Sequence, residues 1–136
     1  MKILITGASG LLGINLAQET MHAHEITGVD RGKLVHAPFP ILKADLLAPG
    51  AVDFIIETAR PDWVINCAAL ANLEECENNP ELARRLNTDM PAQLAKACKS
   101  HGIAYVHIST DAVFDGTSIA FYKEEDEPNP LSLYSK

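Results

Sequence analysis

The sequence is short of cysteine, of cationic residues and of long apolar runs, and each shortage narrows what the chain can be. Its cysteines, Cys67, Cys76 and Cys98, are odd in number and lack Cys-x-x-Cys spacing. That excludes a disulfide frame and a zinc site, and points to reduced thiols in a cytoplasmic protein. Lys and Arg number 11 against 18 Asp and Glu, for a net charge of −7 at pH 7. The balance argues against nucleic acid or an anionic membrane as partner, and leaves any anionic ligand to local donors. No apolar run approaches a membrane span, and Met1 leads straight into a strand-forming stretch with no leader ahead of it. His22 and His24 are close together but have no acidic or cysteine partner nearby, so no metal site is expected. The remaining composition, 47% hydrophobic and 21% charged over 136 residues, fits one soluble domain large enough to bury a core.

What is present begins at once. Ile3, Leu4 and Ile5 form a β-prone run, and Thr6 to Gly13 reads Thr-Gly-x-x-Gly-x-x-Gly before a helical pattern starts at Leu11. Strand, glycine turn and helix form the context in which such a motif holds a dinucleotide. Gly7 permits the tight turn, Gly10 lets backbone N–H groups approach a pyrophosphate, and Gly13 lets the helix lie close to the sheet. The helix N-terminus then offers unpaired N–H groups and a positive dipole end to the phosphates.

In chain order, Leu12, Leu16, Ala17 and Thr20 mark one face of a first helix, and Glu25 to Val29 a second strand closing on Asp30. Asp30 lies 23 residues after Gly7, close to the offset of ~20 at which an acid meets the adenosine ribose. Arg31 follows and could attract a 2′-phosphate, which leaves NAD and NADP both open. Residues 31–40 are a loop by their prolines. Ile41 to Ala44 is a third strand, ended by Asp45-Leu46. A helix starting at Pro49 has its stripe at Val52, Ile55, Ile56 and Ala59. Trp63 to Ala69 reads as a buried fourth strand running into small residues. Residues 74–101 are the longest helical pattern, broken at Asn78-Asn79-Pro80, with Leu82, Leu86, Met90 and Leu94 on one face. Pro91 inside it predicts a kink or break. Asn87 stands beside the stripe, placed either to contact backbone or to face solvent. Gly102 stops the helix, and Ile103 to Ile108 is a fifth strand delivering Ser109-Thr110-Asp111 to its end.

Strand and helix alternate five times, so the expected fold is α/β: a Rossmann-type doubly wound parallel sheet of order 3-2-1-4-5. Residues 1–136 form one nucleotide-binding domain in this reading. Phe114-Asp115-Gly116 is a turn, and the acidic run Glu124 to Glu127 a solvated loop. Tyr134, after Asn129-Pro130-Leu-Ser-Leu, sits where a loop enters a new helix. A phenol is a suitable acid for protonating a carbonyl oxygen as hydride reaches its carbon, and needs a neighbouring cation to serve as a base. Lys136, two positions on, falls on the far side of a helix.

Taken in order, Thr6-Gly-x-x-Gly-x-x-Gly13, Asp30, Asp45-Leu46, Asn66-Cys-Ala-Ala69, Ser109-Thr-Asp-Ala-Val-Phe-Asp-Gly116 and Pro130-x-x-x-Tyr134 resemble the extended short-chain dehydrogenase/reductases. Within that group they most resemble the dTDP-4-dehydrorhamnose reductases, and Ser109–Gly116 is the most specific segment. The resemblance implies reduction by NADPH or NADH of the C4 keto group of a dTDP-4-keto-6-deoxy sugar, in dTDP-L-rhamnose synthesis. It implies Thr110 as the catalytic hydroxyl, Asp111 beside the nucleotide-sugar substrate, and Tyr134 as proton donor. It places Gly10, Leu11 and Leu12 on the pyrophosphate, Asp30 on the adenosine ribose, Asp45 and Leu46 on the adenine, and Ala68, Ala69 and Leu70 on the inner ribose.

Two departures bear on substrate identity: Ala112 replaces a usual aromatic residue, and Leu70-Ala71 a more polar pair. The lysine such enzymes carry four positions after their tyrosine would fall past Lys136. An N-terminal fragment lacking its substrate-binding region, inactive alone, is therefore expected. The sheet edge left open beyond the fifth strand invites dimerisation or aggregation. Similar motifs occur in a non-catalytic relative, the β subunit of methionine adenosyltransferase, and in sugar-nucleotide epimerases and dehydratases, which stand as alternatives.

Overall fold

The structure is a computed structural model that describes residues 1–32, 34 and 36–136. Five strands, β1 (Lys2–Thr6), β2 (Glu25–Asp30), β3 (Ile41–Lys43), β4 (Trp63–Asn66) and β5 (Ala104–His107), form one sheet in the order β3-β2-β1-β4-β5. Every pairing is parallel. The central strands are apolar on both faces because helices cover both. On one face Ile3, Ile5 and Ile26 meet Ala8, Ala17 of α1 (Leu11–Thr20) and Phe39 from the 31–40 loop. On the other, Leu4, Val29 and Val64 meet Val52, Ile55 and Ile56 of α2 (Ala51–Ala59) and Met90, Leu94 and Cys98 of α5 (Met90–His101). Leu4, Ile5 and Ile55 are fully enclosed, and burying each such side chain contributes about 1.5–3 kcal/mol. This is the doubly wound layering and strand order expected.

Between β4 and α5 lie α3 (Leu73–Asn78), α4 (Pro80–Arg84) and one π-helical turn, Arg85–Asp89. Asn72 caps α3 by accepting from the Glu75 N–H at 2.9 Å. The break at Asn79-Pro80 is present. Pro91, in the first turn of α5, is preceded by the expected break in the α pattern, the π-helical turn. Its ring would strike the carbonyl four residues back, and it has no N–H to offer that carbonyl. The turn before it widens instead, so that the Met90 N–H donates to the Arg85 carbonyl, five residues back.

Three local expectations shift. The inner face of α1 is Gly13 and Ala17, with Leu16 packed against the same cluster as expected, while Leu11 and Leu12 are 86% and 48% exposed; the helix lies too close to the sheet for leucine at its start. Helix α2 begins at Ala51, because Gly50 takes a positive φ of 75° that Pro49 cannot lead through as helix. Trp63 opens β4 at the amino edge of the sheet and stays 39% exposed. Residues Ser132–Lys136 make a turn, closed by the Lys136 N–H on the Ser132 carbonyl at 3.2 Å. Of the 31–40 loop, Lys33 and Val35 lie outside the described residues, and the rest holds neither helix nor strand.

Beyond β5, a 3₁₀ turn at Asp111–Val113 leads into an irregular segment tied by Asp115. Its carboxylate accepts from the Thr117 N–H and hydroxyl, the Tyr122 hydroxyl and the Asn129 amide. These donors hold the acid well below the usual carboxylate range. Phe114 stacks on Tyr122 with centroids 4.2 Å apart. Glu124–Glu127 is an exposed run. Among the described residues no helix is long and apolar enough to cross a membrane.

Candidate functional site

The strands of a parallel sheet all end on one side, and here β1, β2 and β4 end around a cavity of about 240 Å³. Its floor is the turn from β1 into α1. Gly7 has φ 67°, and a Cβ there would lie 2.8 Å from backbone atoms of Cys67 and Ala68. Only glycine lets this turn rest against the exit of β4. A Cβ on Gly13 would lie 2.3 Å from the Gly7 carbonyl oxygen, so glycine also sets the approach of α1. At Gly10 the nearest atom is 3.2 Å away, and Gly10 itself lines the cavity. No side chain caps α1 and no acid stands in its first turn. Its leading N–H groups, from Leu11 to Gly13, are thus without intrahelical partners, at the positive end of the dipole.

The walls come from the neighbouring strand ends. Asp30, 7% exposed, accepts through Oδ1 from the Gly32 N–H at 2.6 Å and the Leu34 N–H at 3.2 Å. Arg31 follows it along the same wall. Asp45 Oδ1 accepts from the Leu47 N–H at 3.0 Å, a local turn that holds Asp45 and Leu46 at the cavity edge. Opposite stand Cys67, Ala68, Ala69 and Leu70 after β4. Burial pushes the Cys67 thiol up from its usual value, so it serves as a neutral, apolar wall.

Two hydrogen-bonded groups fix that wall from behind. Asn66 Oδ1 accepts from the Thr6 hydroxyl and from the Ala68 N–H at 3.3 Å. Its amide nitrogen therefore faces His107 and donates to Nδ1 at 2.9 Å. Partial desolvation lowers the His107 imidazole from its usual value although the residue is exposed, consistent with a neutral acceptor. The ends of β1, β4 and β5 are thus linked side by side. The second group is Asn87 in the π-helical turn. Its Oδ1 accepts from the Leu70 N–H at 2.8 Å and its Nδ2 donates to the Leu70 carbonyl at 3.1 Å. The Cys76 thiol reaches the same carbonyl at 3.2 Å.

A glycine turn under an uncapped helix end, with a buried acid at the end of the next strand, is a site many chains share, and comparison with known proteins identifies whose it is here. Residues 1–136, the entire chain, match the RmlD substrate binding domain. The chain belongs to that family. It is 36% identical over 134 residues to a dTDP-4-dehydrorhamnose reductase of Burkholderia thailandensis, covering 98% of this chain and 42% of that protein. It is 39% identical over 135 residues to methionine adenosyltransferase 2 subunit beta of Bos taurus, covering 99% and 40%. Among solved structures, a hypothetical dTDP-4-dehydrorhamnose reductase from Sulfolobus tokodaii superposes with a TM-score of 0.90 at 38% identity, over 99% of this chain and 48% of that one. The dTDP-4-dehydrorhamnose reductase of Bacillus anthracis, in complex with NADP, gives 0.84 at 30% identity, over 98% and 45%. The chain thus spans less than half the length of each.

The cavity brings together Gly7, Gly10, Asp30, Arg31, Asp45, Leu46, Ala68, Ala69 and Leu70, all singled out from the sequence. Leu11, Leu12 and Gly13 are not in its lining; the leucines project from the helix start and Gly13 lies beneath it. Thr110, Asp111 and Tyr134 also stand outside it. Thr110 Oγ1 caps the 3₁₀ turn, accepting from the Ala112 N–H at 3.1 Å and donating to Asp111 Oδ1 at 3.4 Å. The turn bearing Tyr134 is tied to α3 by the Leu133 N–H on Glu77 at 3.0 Å. Among the described residues no hydrogen bond joins Thr110 to Tyr134. Ser9, Val29, Ala44, Cys67 and Leu86 complete the lining without having been singled out. Ser9 stood in the signal, as a variable position of the glycine motif. Leu86 did not, because the π-helical turn that aims it is invisible in a 3.6-residue pattern.

Proposed function

We propose that this chain is the dinucleotide-binding part of a cytoplasmic NAD(P)H-dependent reductase acting on the C4 keto group of a dTDP-4-keto-6-deoxy sugar. The observation that carries the reading is the cavity itself: it opens at the carboxyl ends of the strands, beside the uncapped start of α1 and against the buried Asp30. Its residues fit a dinucleotide, since Gly10 leaves the floor without a side chain and Gly7 and Gly13 let the turn and α1 close onto backbone. The N–H groups at the start of α1 bind the pyrophosphate, Asp30 and Arg31 meet the adenosine ribose, Asp45 and Leu46 flank the adenine, and Ala68 to Leu70 face the inner ribose. Cys67 and Leu86 exclude water from the wall. The cofactor, when bound, supplies the hydride. Thr110 donates a hydrogen bond to the keto oxygen, Tyr134 gives that oxygen its proton from Oη, and Asp111 orients the sugar. The three dTDP-4-dehydrorhamnose reductases matched above support this reading.

A second reading rests on the 39% identity to methionine adenosyltransferase 2 subunit beta: a nucleotide-binding regulatory subunit without turnover. The test is NADPH oxidation by the complete gene product on addition of a dTDP-4-keto-6-deoxy sugar. Turnover that falls about 10²–10⁴-fold in Tyr134→Phe, with NADPH binding retained, supports the reductase. Binding without any turnover favours the regulatory subunit, and absence of NADPH binding refutes both.

A further inference from the structure

Between Thr110 and Tyr134, 24 residues apart, the chain brings four donors onto one carboxylate. Asp115 Oδ1 accepts from the Thr117 N–H at 2.9 Å, the Thr117 hydroxyl at 2.7 Å and the Tyr122 hydroxyl at 2.9 Å. Its Oδ2 accepts from the Asn129 amide at 2.8 Å. Residues 114–129 hold neither helix nor strand, so these bonds do the work of a ladder. Their donors span the whole excursion. Thr117 starts it, Tyr122 returns onto Phe114 with ring planes 5° apart, and Asn129 closes it. At that closure the Asn129 N–H also donates to the Val113 carbonyl at 2.9 Å. Val113 is three residues past Thr110, and Asn129 five before Tyr134. The closure therefore sets how the Tyr134 turn departs from the end of β5, while the Leu133 N–H on Glu77 holds that turn to α3.

Resting on the reductase reading above, we infer that Asp115 is a positioning residue for Tyr134: its carboxylate closes the 115–129 loop and so fixes where the phenol stands relative to Thr110. Asp115 acts through other groups, since it does not line the cavity and its hydrogen bonds go to Thr117, Tyr122 and Asn129. Proton donation needs the phenol within hydrogen-bond reach of the keto oxygen, and a misplacement of about 1 Å costs such a step up to about 10²-fold. A carboxylate suits the task because it offers two acceptor oxygens to the four donors and has no donor of its own to misplace. Those donors favour its charged form, which keeps the loop closed at neutral pH.

The test is NADPH oxidation by the complete gene product with a dTDP-4-keto-6-deoxy sugar, in Asp115→Ala, Asp115→Asn, Asn129→Ala, Tyr134→Phe and the double variant Asp115→Ala/Tyr134→Phe. Asp115→Ala should lower kcat about 10- to 100-fold and leave the NADPH dissociation constant within about twofold. In the Tyr134→Phe background the same change should cost less than about twofold, there being no phenol left to place. Asp115→Asn keeps an oxygen for Thr117 and Tyr122, and its NH₂ can donate to Asn129 once that exposed amide turns, so kcat should stay within about threefold. Hydrogen exchange in Asp115→Ala should quicken over residues 130–136 and stay unchanged over 7–13. Asn129→Ala, which removes a single bond, should shift kcat and exchange in the same directions by less, and carries the same comparisons where Asp115→Ala does not fold. A folded Asp115→Ala with kcat within about twofold of wild type, or one whose loss persists in the Tyr134→Phe background or extends to NADPH binding, overturns this assignment and leaves the reductase reading standing. A wild type that turns over no sugar removes the reductase reading itself, and the assignment with it.

Discussion

Replacing Gly13 by alanine sets two well-known effects against each other, and the structure decides between them. Alanine in a helix is favoured over glycine by about 1 kcal/mol, so propensity alone makes Gly13→Ala stabilising. The added Cβ, however, would stand 2.3 Å from the Gly7 carbonyl oxygen, 2.9 Å from its carbon and 3.0 Å from Ala8 Cα. Carbon and carbonyl oxygen rest at about 3.3 Å or more, so α1 would have to retreat by about 1 Å. All three obstacles are backbone, held by β1 and its turn, and no rotamer change relieves them. Overpacking costs about 1–3 kcal/mol, with backbone obstruction toward the upper end, which leaves a net loss of about 1–2 kcal/mol after the helix gain. With a urea dependence of about 1–3 kcal/mol per molar, the unfolding midpoint followed by circular dichroism should fall by about 0.5–1 M. Gly10→Ala is the control, its new Cβ coming no nearer than 3.2 Å to the same oxygen and losing less. A Gly13→Ala midpoint at or above the wild type would refute the argument that the helix–turn contact limits this position.

Asn87→Ala should remove both side-chain bonds to Leu70 at once and leave that peptide's N–H without its partner. The expected cost is about 1–3 kcal/mol, with faster hydrogen exchange at the Leu70 amide read by NMR; an unchanged exchange rate would show that the clamp does not hold the wall. The pH dependence concerns His107, exposed at the end of β5 yet partly desolvated there, which holds its imidazole below 6.5. The unfolded chain takes up that proton at higher pH than the folded one, so the stabilisation is complete above about 6.5 and is lost as pH falls through the lowered value. Urea midpoints at about pH 7.5 and 5 should differ in that direction, and less so in His107→Asn. Equal pH dependence in the two proteins would exclude His107 as the cause.

Much of this architecture was legible because it follows from patterns with a short reach. Apolar strands of four or five residues, helices between them and right-handed crossovers suffice to order the sheet, and β1 running into Gly7 marks where its carboxyl edge opens. Asp30, Asp45 and Ala68–Leu70 could be placed on that edge because each closes a strand or lies within a few residues of its end. What escaped depends on contacts across the fold. Leu86 enters the cavity only because Pro91 widens the turn ahead of it, a consequence of one missing N–H. Asn87 could be read as surface or as support, and its choice of the Leu70 peptide rests on the loop's path. Cys67, just past the end of β4, and Val29, next to the end of β2, line the cavity through the way these strand ends meet around it. Leu12 was assigned to the inner face by a periodicity that takes no account of how near Gly13 brings the helix.

The widened turn at Arg85–Asp89 also works as a phase shifter. Each residue advances an α-helix by about 100°, so one extra residue in a turn rotates everything upstream relative to everything downstream by about that angle. Met90 and Leu94 can thereby aim at the sheet while Leu86 and Asn87, on the same rod, aim at the cavity and the Leu70 peptide. The two ends are uncoupled in sequence. Residues from Pro80 to Arg84 can drift without disturbing the buried contacts of α5, and the core beneath α5 can be repacked without swinging Asn87 off its target. Tightening that turn to regular α-helix with every residue kept would swing one end about 100° off its partner, whereas deleting one residue from it would leave both ends aimed as they are.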